Sequence, residues 1–301
     1  MPTSGVSLGL EWEIEGHPAP VSLVAEGPNG LVVTGAVDME LKLWRGQELV
    51  AKTSLRSIND KFRPMDRMRG LTFDPTGDRI FAAAGERLWC LDSGTLEEVW
   101  SYQAPNMVSF LLSSPQDVGV ASNGEVVFSV DSGHLEVWTL EGRKLARWAD
   151  NDAPSTLTVM ADGDRFVGCD GYSVCSWSVA ERRKCARIDP RTRAFAFSSC
   201  PKTGRFAIRT LHTVQVWDWA TASVTSEREV SMGAPTLAFL PDVGWVAYAE
   251  EGGVTVLDPD PGTIARLEFP GVRATHLAST PDGRGLLVGR SDGSVGRYAV
   301  A

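Results

Sequence analysis

A chain of 301 residues that is 43% hydrophobic carries enough apolar material for a sizeable buried core, and its 30 Gly and 17 Pro supply many tight turns. A formal net charge of −9 argues against nonspecific nucleic-acid binding, which needs many Lys and Arg to displace counterions. No uninterrupted apolar run approaches the roughly 20 residues of a membrane span. The five cysteines are odd in number and irregularly spaced, and Met-Pro-Thr-Ser-Gly-Val opens without a basic segment and apolar core. Both features fit a reducing, cytoplasmic setting.

Residues 6–14 come first. Here Leu10-Glu-Trp-Glu-Ile14 alternates at period two, as a half-buried strand does. A related signal then recurs seven times: an alternating apolar strand that closes on an aromatic residue or a leucine. The closing residues are Trp44, Leu91, Trp138, Trp177, Trp217, Leu257 and Tyr298, one every ~40 residues. Turns rich in Pro, Asp and Gly punctuate the units, as in Phe73-Asp-Pro-Thr-Gly77, Leu240-Pro-Asp-Val-Gly244 and Thr280-Pro-Asp-Gly283. Near-continuously apolar runs follow them, such as Ile80-Phe-Ala-Ala and Glu125-Val-Val-Phe-Ser-Val130, as expected of strands covered on both faces. Seven units of this period predict an all-β fold, a single seven-bladed β-propeller of four-stranded antiparallel blades filling residues 1–301 as one domain. The chain stops at Ala301, directly after the third strand of the seventh unit. Residues 6–14 are therefore expected to complete the last blade and close the ring, which removes open sheet edges.

Val214-Gln-Val-Trp-Asp-Trp219 contains a Trp-Asp pair and resembles the closing strand of a WD40 repeat, while Gly16-His17 resembles the Gly-His that opens one. His17, Thr34, Asp38 and Trp44 stand at the spacings of that family's hydrogen-bonded structural tetrad. The resemblance implies that Asp38 holds His17 and that a hydroxyl links His17 to the indole N–H, so that each buried polar group is satisfied. The full polar set occurs once. Blade seven keeps Asp292, whereas Asp131 and Asp170 in blades three and four stand one residue further from their Trp. WD40 proteins act overwhelmingly as scaffolds and adaptors. The resemblance thus implies a non-catalytic protein-interaction subunit, monomeric alone or part of a hetero-complex, with no cofactor.

Motifs for chemistry are sparse. Gly5-Val-Ser7-Leu-Gly9 spells a nucleophile elbow but lacks the strand before and helix after that the elbow requires. No Gly-Lys-Ser/Thr or Gly-x-Gly-x-x-Gly occurs, His17, His134, His212 and His276 fall in different blades, and no Cys-x-x-Cys pair or metal site is visible. Cys169 and Cys175 flank one hairpin turn, where two ordinary buried thiols are the simpler expectation. The alternative function is a propeller enzyme or small-ligand binder that uses the central channel, such as a lactonase-like hydrolase.

The family geometry implies that strand entries and the turns between second and third strands share one rim. Nine basic residues map there: Lys61, Arg63, Arg67, Arg69, Arg191, Arg193, Arg209, Arg273 and Arg290. Phe62, Met65, Met68, Met107 and Met232 map with them. In an acidic chain this set predicts a rim that binds another protein through an acidic or phosphorylated segment, with no nucleic-acid or membrane partner.

Overall fold

A computed structural model describes residues 8–55, 68–85, 87–103, 115–121, 123–130, 134–149, 154, 156–160, 164–200, 202–231, 233–234, 236–258 and 262–300. Seven four-stranded antiparallel sheets form a ring, and among the described residues there is no helix. In blade one the strands run outward from the centre as Val21–Glu26, Leu31–Ala36, Glu40–Arg45 and Glu48–Ser54. The innermost strands of blades two to seven are Met68–Phe73, Pro115–Val120, Thr156–Val159, Ala196–Cys200, Leu237–Leu240 and Ala274–Ser279. Burial follows position in the blade. Leu31–Ala36 and Gly285–Arg290 are buried throughout, because second strands have a neighbouring blade on each face. Outer strands such as Ser223–Glu229 are mostly exposed.

The core is a set of clusters, one between each pair of neighbours. Leu31, Val33, Leu41 and Leu43 of blade one pack with Phe73, Ile80, Ala82 and Leu91 of blade two. Leu287 and Val295 of blade seven meet Val21, Val24, Val32 and Trp44 of blade one. The ring closes as expected from the N-terminal alternation. Leu8–Glu15 pairs with Ser294–Val300 from Leu8↔Val300 to Glu15↔Ser294, making the outer strand of blade seven. Arg297 reinforces the closure: it pairs with Glu11 on that strand and holds Glu26 of blade one at 2.9 and 3.3 Å.

The recurring aromatic or leucine also marks a recurring irregularity. Pairing between third and fourth strands slips by one residue beside Trp44, Leu91, Trp138, Trp177, Trp217, Leu257 and Tyr298 alike. Each slip is a bulge that leaves one outer-strand residue unpaired and increases the local twist. The residues skipped include Val50, Val99 and Leu145, at 40, 45 and 38% exposure. Val50, Val99 and Leu145 are thus exposed as bulge residues, whereas Leu10, Leu49 and Val224 are exposed at paired positions of the outer strands. Cys169 lies opposite Val174 and Cys175 opposite Gly168, so period-two alternation sends the two thiols to opposite faces of the sheet and into different core clusters.

Candidate functional site

Innermost strands line a central channel of about 540 Å³. One register position is small in every blade: Ala25, Thr72, Gly119, Thr158, Ser198, Ala238 and Ala278 all face the channel, which keeps it open. Two residues earlier, blades three, six and seven carry larger polar groups, Asp117, Thr236 and His276, and these tie each blade to the next. Asp117 Oδ2 accepts from Leu157 N–H at 2.7 Å, Thr236 Oγ1 from Leu277 N–H at 3.0 Å, and His276 Nδ1 from Val24 N–H at 3.3 Å. Ser198 Oγ repeats the device one layer further on, accepting from Phe239 N–H at 3.1 Å. Gly70 is required here, since a Cβ on it would stand 2.5 Å from Asp117 Oδ1. Burial pushes the Asp117 carboxyl up to about 7, against the stabilising N–H groups of Leu157 and Val118. Burial also pulls His276 down to about 4, so its imidazole is neutral at physiological pH. Asp117, Ser198, Thr236 and His276 thus serve as joints between blades. Among the described residues no three His, Cys, Asp or Glu side chains converge as metal ligands.

Three of the four tetrad residues form the expected chain. Trp44 Nε1–H donates to Thr34 Oγ1 at 2.9 Å, and Thr34 Oγ1 lies 2.8 Å from His17 Nε2. Asp38 departs from the expectation. Its carboxylate accepts from Glu40 N–H at 3.2 Å, capping the turn, and the carboxylate that approaches His17 Nδ1 is Glu40's, at 3.6 Å. Burial, reinforced by Lys42, lowers the His17 pKa, so the imidazole stays neutral. Other blades satisfy the same position differently. Trp138 Nε1–H donates to Glu136 at 3.1 Å and Trp217 Nε1–H to Gln215 at 3.2 Å, each acceptor two residues earlier on the same strand face. Burial alone would raise Glu136, but bonds from His134, Lys144 and Trp138 hold its carboxyl below the usual range. In blade seven the Tyr298 hydroxyl meets Arg290.

Strand entries and second-to-third-strand turns do share a rim, called upper below. Ala194 N–H donates to Gly171 O at 2.8 Å, Val230 N–H to His212 O at 2.8 Å, and Phe269 N–H to Gly252 O at 2.7 Å. At the ring's seam Gly16 and His17 both donate to Gly293 O, where φ is +89° and a Cβ would stand 1.8 Å from His17 O. Lys61, Phe62, Arg63, Met65, Arg67, Met107 and Met232 lie outside the described residues. The others divide. Arg191, Arg193 and Arg273 are exposed, with no ion pair among the described residues. Arg69 is half-buried and lines the channel. Met68 is a core residue packed in the first cluster.

Arg209 and Arg290 do not belong to an exposed binding face. Each ends a second strand, where the side chain enters the space between neighbouring blades. Arg209 is 3% exposed and donates to Ala249 O and, at 3.0 Å, to Ser231 O. Arg290 is 6% exposed, reaches Glu13 at 2.7 Å and lies 4.2 Å over the Phe269 ring.

Sequence reasoning weighted basic residues and missed the aromatics beside them. Tyr172, Phe195 and Leu211 are 63, 44 and 52% exposed on the upper rim of blades four and five. The Arg193 guanidinium lies 5.8 Å from the Tyr172 ring and 5.1 Å from the Phe195 ring. An aromatic inside the polar turn Asp170-Gly-Tyr-Ser173 was the available signal. The opposite rim is different. Lys202 and Arg284 both pair with Asp242, linking the turns of blades five, six and seven, and Asn29 donates to Gly77 O at 3.0 Å between blades one and two. Comparison with models of known families and with curated proteins finds no match to this chain.

Proposed function

We propose that this chain is a non-catalytic interaction platform, a scaffold or adaptor subunit of a multiprotein complex that holds a partner protein on its upper rim. The supporting observation is an asymmetry of pairing. Lower-rim Lys202 and Arg284 share Asp242, whereas upper-rim Arg191, Arg193 and Arg273 have no ion pair among the described residues. In a chain of net charge −9, unpaired cations gathered on one rim favour an acidic protein surface as partner. A WD40-like origin for the repeat is supported by the His17–Thr34–Trp44 chain and by Trp217-Asp218 in blade five. The test is capture of partners from the native host, wild type against Arg191→Glu/Arg193→Glu, with buried Arg209 left intact. A stoichiometric protein lost from the variant is the expected result. Capture of no protein by either form would overturn the platform.

A second reading has one observation in its favour: the channel's volume of about 540 Å³ suits a small ligand. Since Asp117 and His276 are engaged as joints, this reading requires a ligand that binds without displacing Leu157 or Val24. A small-molecule thermal-shift screen tests it, with stabilisation expected only if the channel is a site.

A further inference from the structure

We infer that the upper rim of blades four and five is a docking site for an acidic peptide segment, centred on Arg193 between Tyr172 and Phe195; this rests on the platform reading above. The first argument is exposure. Tyr172, Phe195 and Leu211 keep large apolar side chains in water, at roughly 25 cal/mol per Å² of surface, and a partner that covers them recovers that cost. Unlike Val50, Val99 and Leu145, these three do not sit at outer-strand bulges; they lie in loops on one rim.

The second argument is preorganisation. Asp170 Oδ1 accepts from Tyr172 N–H at 2.7 Å and Ser173 N–H at 2.6 Å, fixing the turn that presents Tyr172. Phe195 N–H donates to Arg209 O of its own blade at 2.7 Å, and Ala194 N–H to Gly171 O of blade four at 2.8 Å, so the loop that carries Arg193 is anchored to both blades. Thr210 Oγ1 accepts from His212 and Thr213 N–H at 3.2 and 2.9 Å beneath Leu211. Arg191 holds φ at +60°, a conformation that favours glycine, at the position where its side chain stands free. Rigid aromatic anchors lose little entropy on binding.

The third argument is charge. The nearby acids are already engaged: Asp170 caps its turn and Asp189 pairs with Arg187 at 2.8 Å. Among the described residues Arg191 and Arg193 have no carboxylate partner, and a guanidinium stacked on aromatic faces still offers its edge N–H groups to one. The complementary occupant is a segment with Asp or Glu beside an aliphatic or aromatic residue, which places its acid on Arg193 and its apolar side chain against Tyr172 or Phe195.

A random peptide library is selected against the immobilised full chain. Enriched peptides are then titrated against wild type, Arg193→Ala and Arg193→Lys, at low and high salt, with oligo(dT) as a second probe. The expected result is enrichment of an acidic residue next to an apolar one, with Kd raised about tenfold or more by Arg193→Ala, less by Arg193→Lys, and raised by salt. Arg193 is exposed, so an unchanged thermal midpoint in both variants verifies the fold. Peptides without acidic residues, no enriched peptide, or oligo(dT) binding in place of peptide binding would each overturn the site. Peptides that bind Arg193→Ala as they bind wild type would overturn it while leaving the platform reading intact. Only failure to capture any host protein removes the platform itself.

Discussion

Asp117 shows how a single side chain can serve the ring at a cost that depends on pH. Its two oxygens accept from Val118 and Leu157, joining blades three and four, yet burial raises its carboxyl from 3.8 to about 7. The native state therefore holds a proton that the unfolded chain releases between these values. With fewer protons bound in the unfolded state, stability falls as pH rises through the window from about 4 to about 7. His276 acts in the opposite sense. Its lowered pKa gives stability that is present above 6.5 and lost as pH falls through about 4. A comparison of Asp117→Asn with wild type separates the two. The thermal midpoint of wild type relative to the variant should decline from pH 4 to pH 7, and a constant offset would contradict a raised Asp117.

The tetrad makes a second prediction at this scale. His17→Ala should lower stability by roughly 1–3 kcal/mol by removing the buried partner of Thr34, to which Trp44 is bonded in turn, read by chemical unfolding. An unchanged unfolding curve would show that the chain from His17 to Trp44 is not a stabilising unit. Much of this unit was legible in the sequence, because His17, Thr34 and Trp44 stand at the spacings of the WD40 tetrad they resemble. The acid was not, since Asp38 in the turn and Glu40 at the start of the third strand stand two residues apart and only the fold decides that Glu40 faces His17. Glu136 and Gln215 were legible in principle: a residue two before a strand tryptophan shares its face.

At the scale of elements, the seven slips beside Trp44, Leu91 and their equivalents explain why the sequence repeat survives where the polar motif does not. The bulge needs a large apolar side chain on the third strand, and Leu91 or Leu257 supplies that as well as tryptophan does. Strand count, order and closure were legible for this reason. Arg209 and Arg290 were misplaced because a strand-end arginine reads as a rim residue, while the close approach of the next blade buries it. The closing strand carries a prediction of its own. Deleting residues 8–15 exposes the edge of Ser294–Val300 and removes the Glu11–Arg297 pair, so a lower thermal midpoint and self-association on size exclusion are expected. A monomer with an unchanged midpoint would mean that the ring closes without it.

Across the whole molecule, the two rims and the channel have different chemistry. In the channel Asp117 and His276 bridge blades, on the lower rim Lys202, Asp242 and Arg284 bridge turns, and the upper rim of blades four and five leaves Arg191, Arg193, Tyr172, Phe195 and Leu211 facing water. Periodicity could not reveal this division, because charged residues occur in the turns of both rims and pairing depends on which turns meet. The most direct measurement of an upper-rim platform is hydrogen–deuterium exchange on the chain with and without its captured partner. Protection is expected in residues 170–173, 191–195 and 210–213, with the lower turns at 241–244 and 280–284 unchanged. Protection confined to the lower turns or to the channel strands would contradict the account.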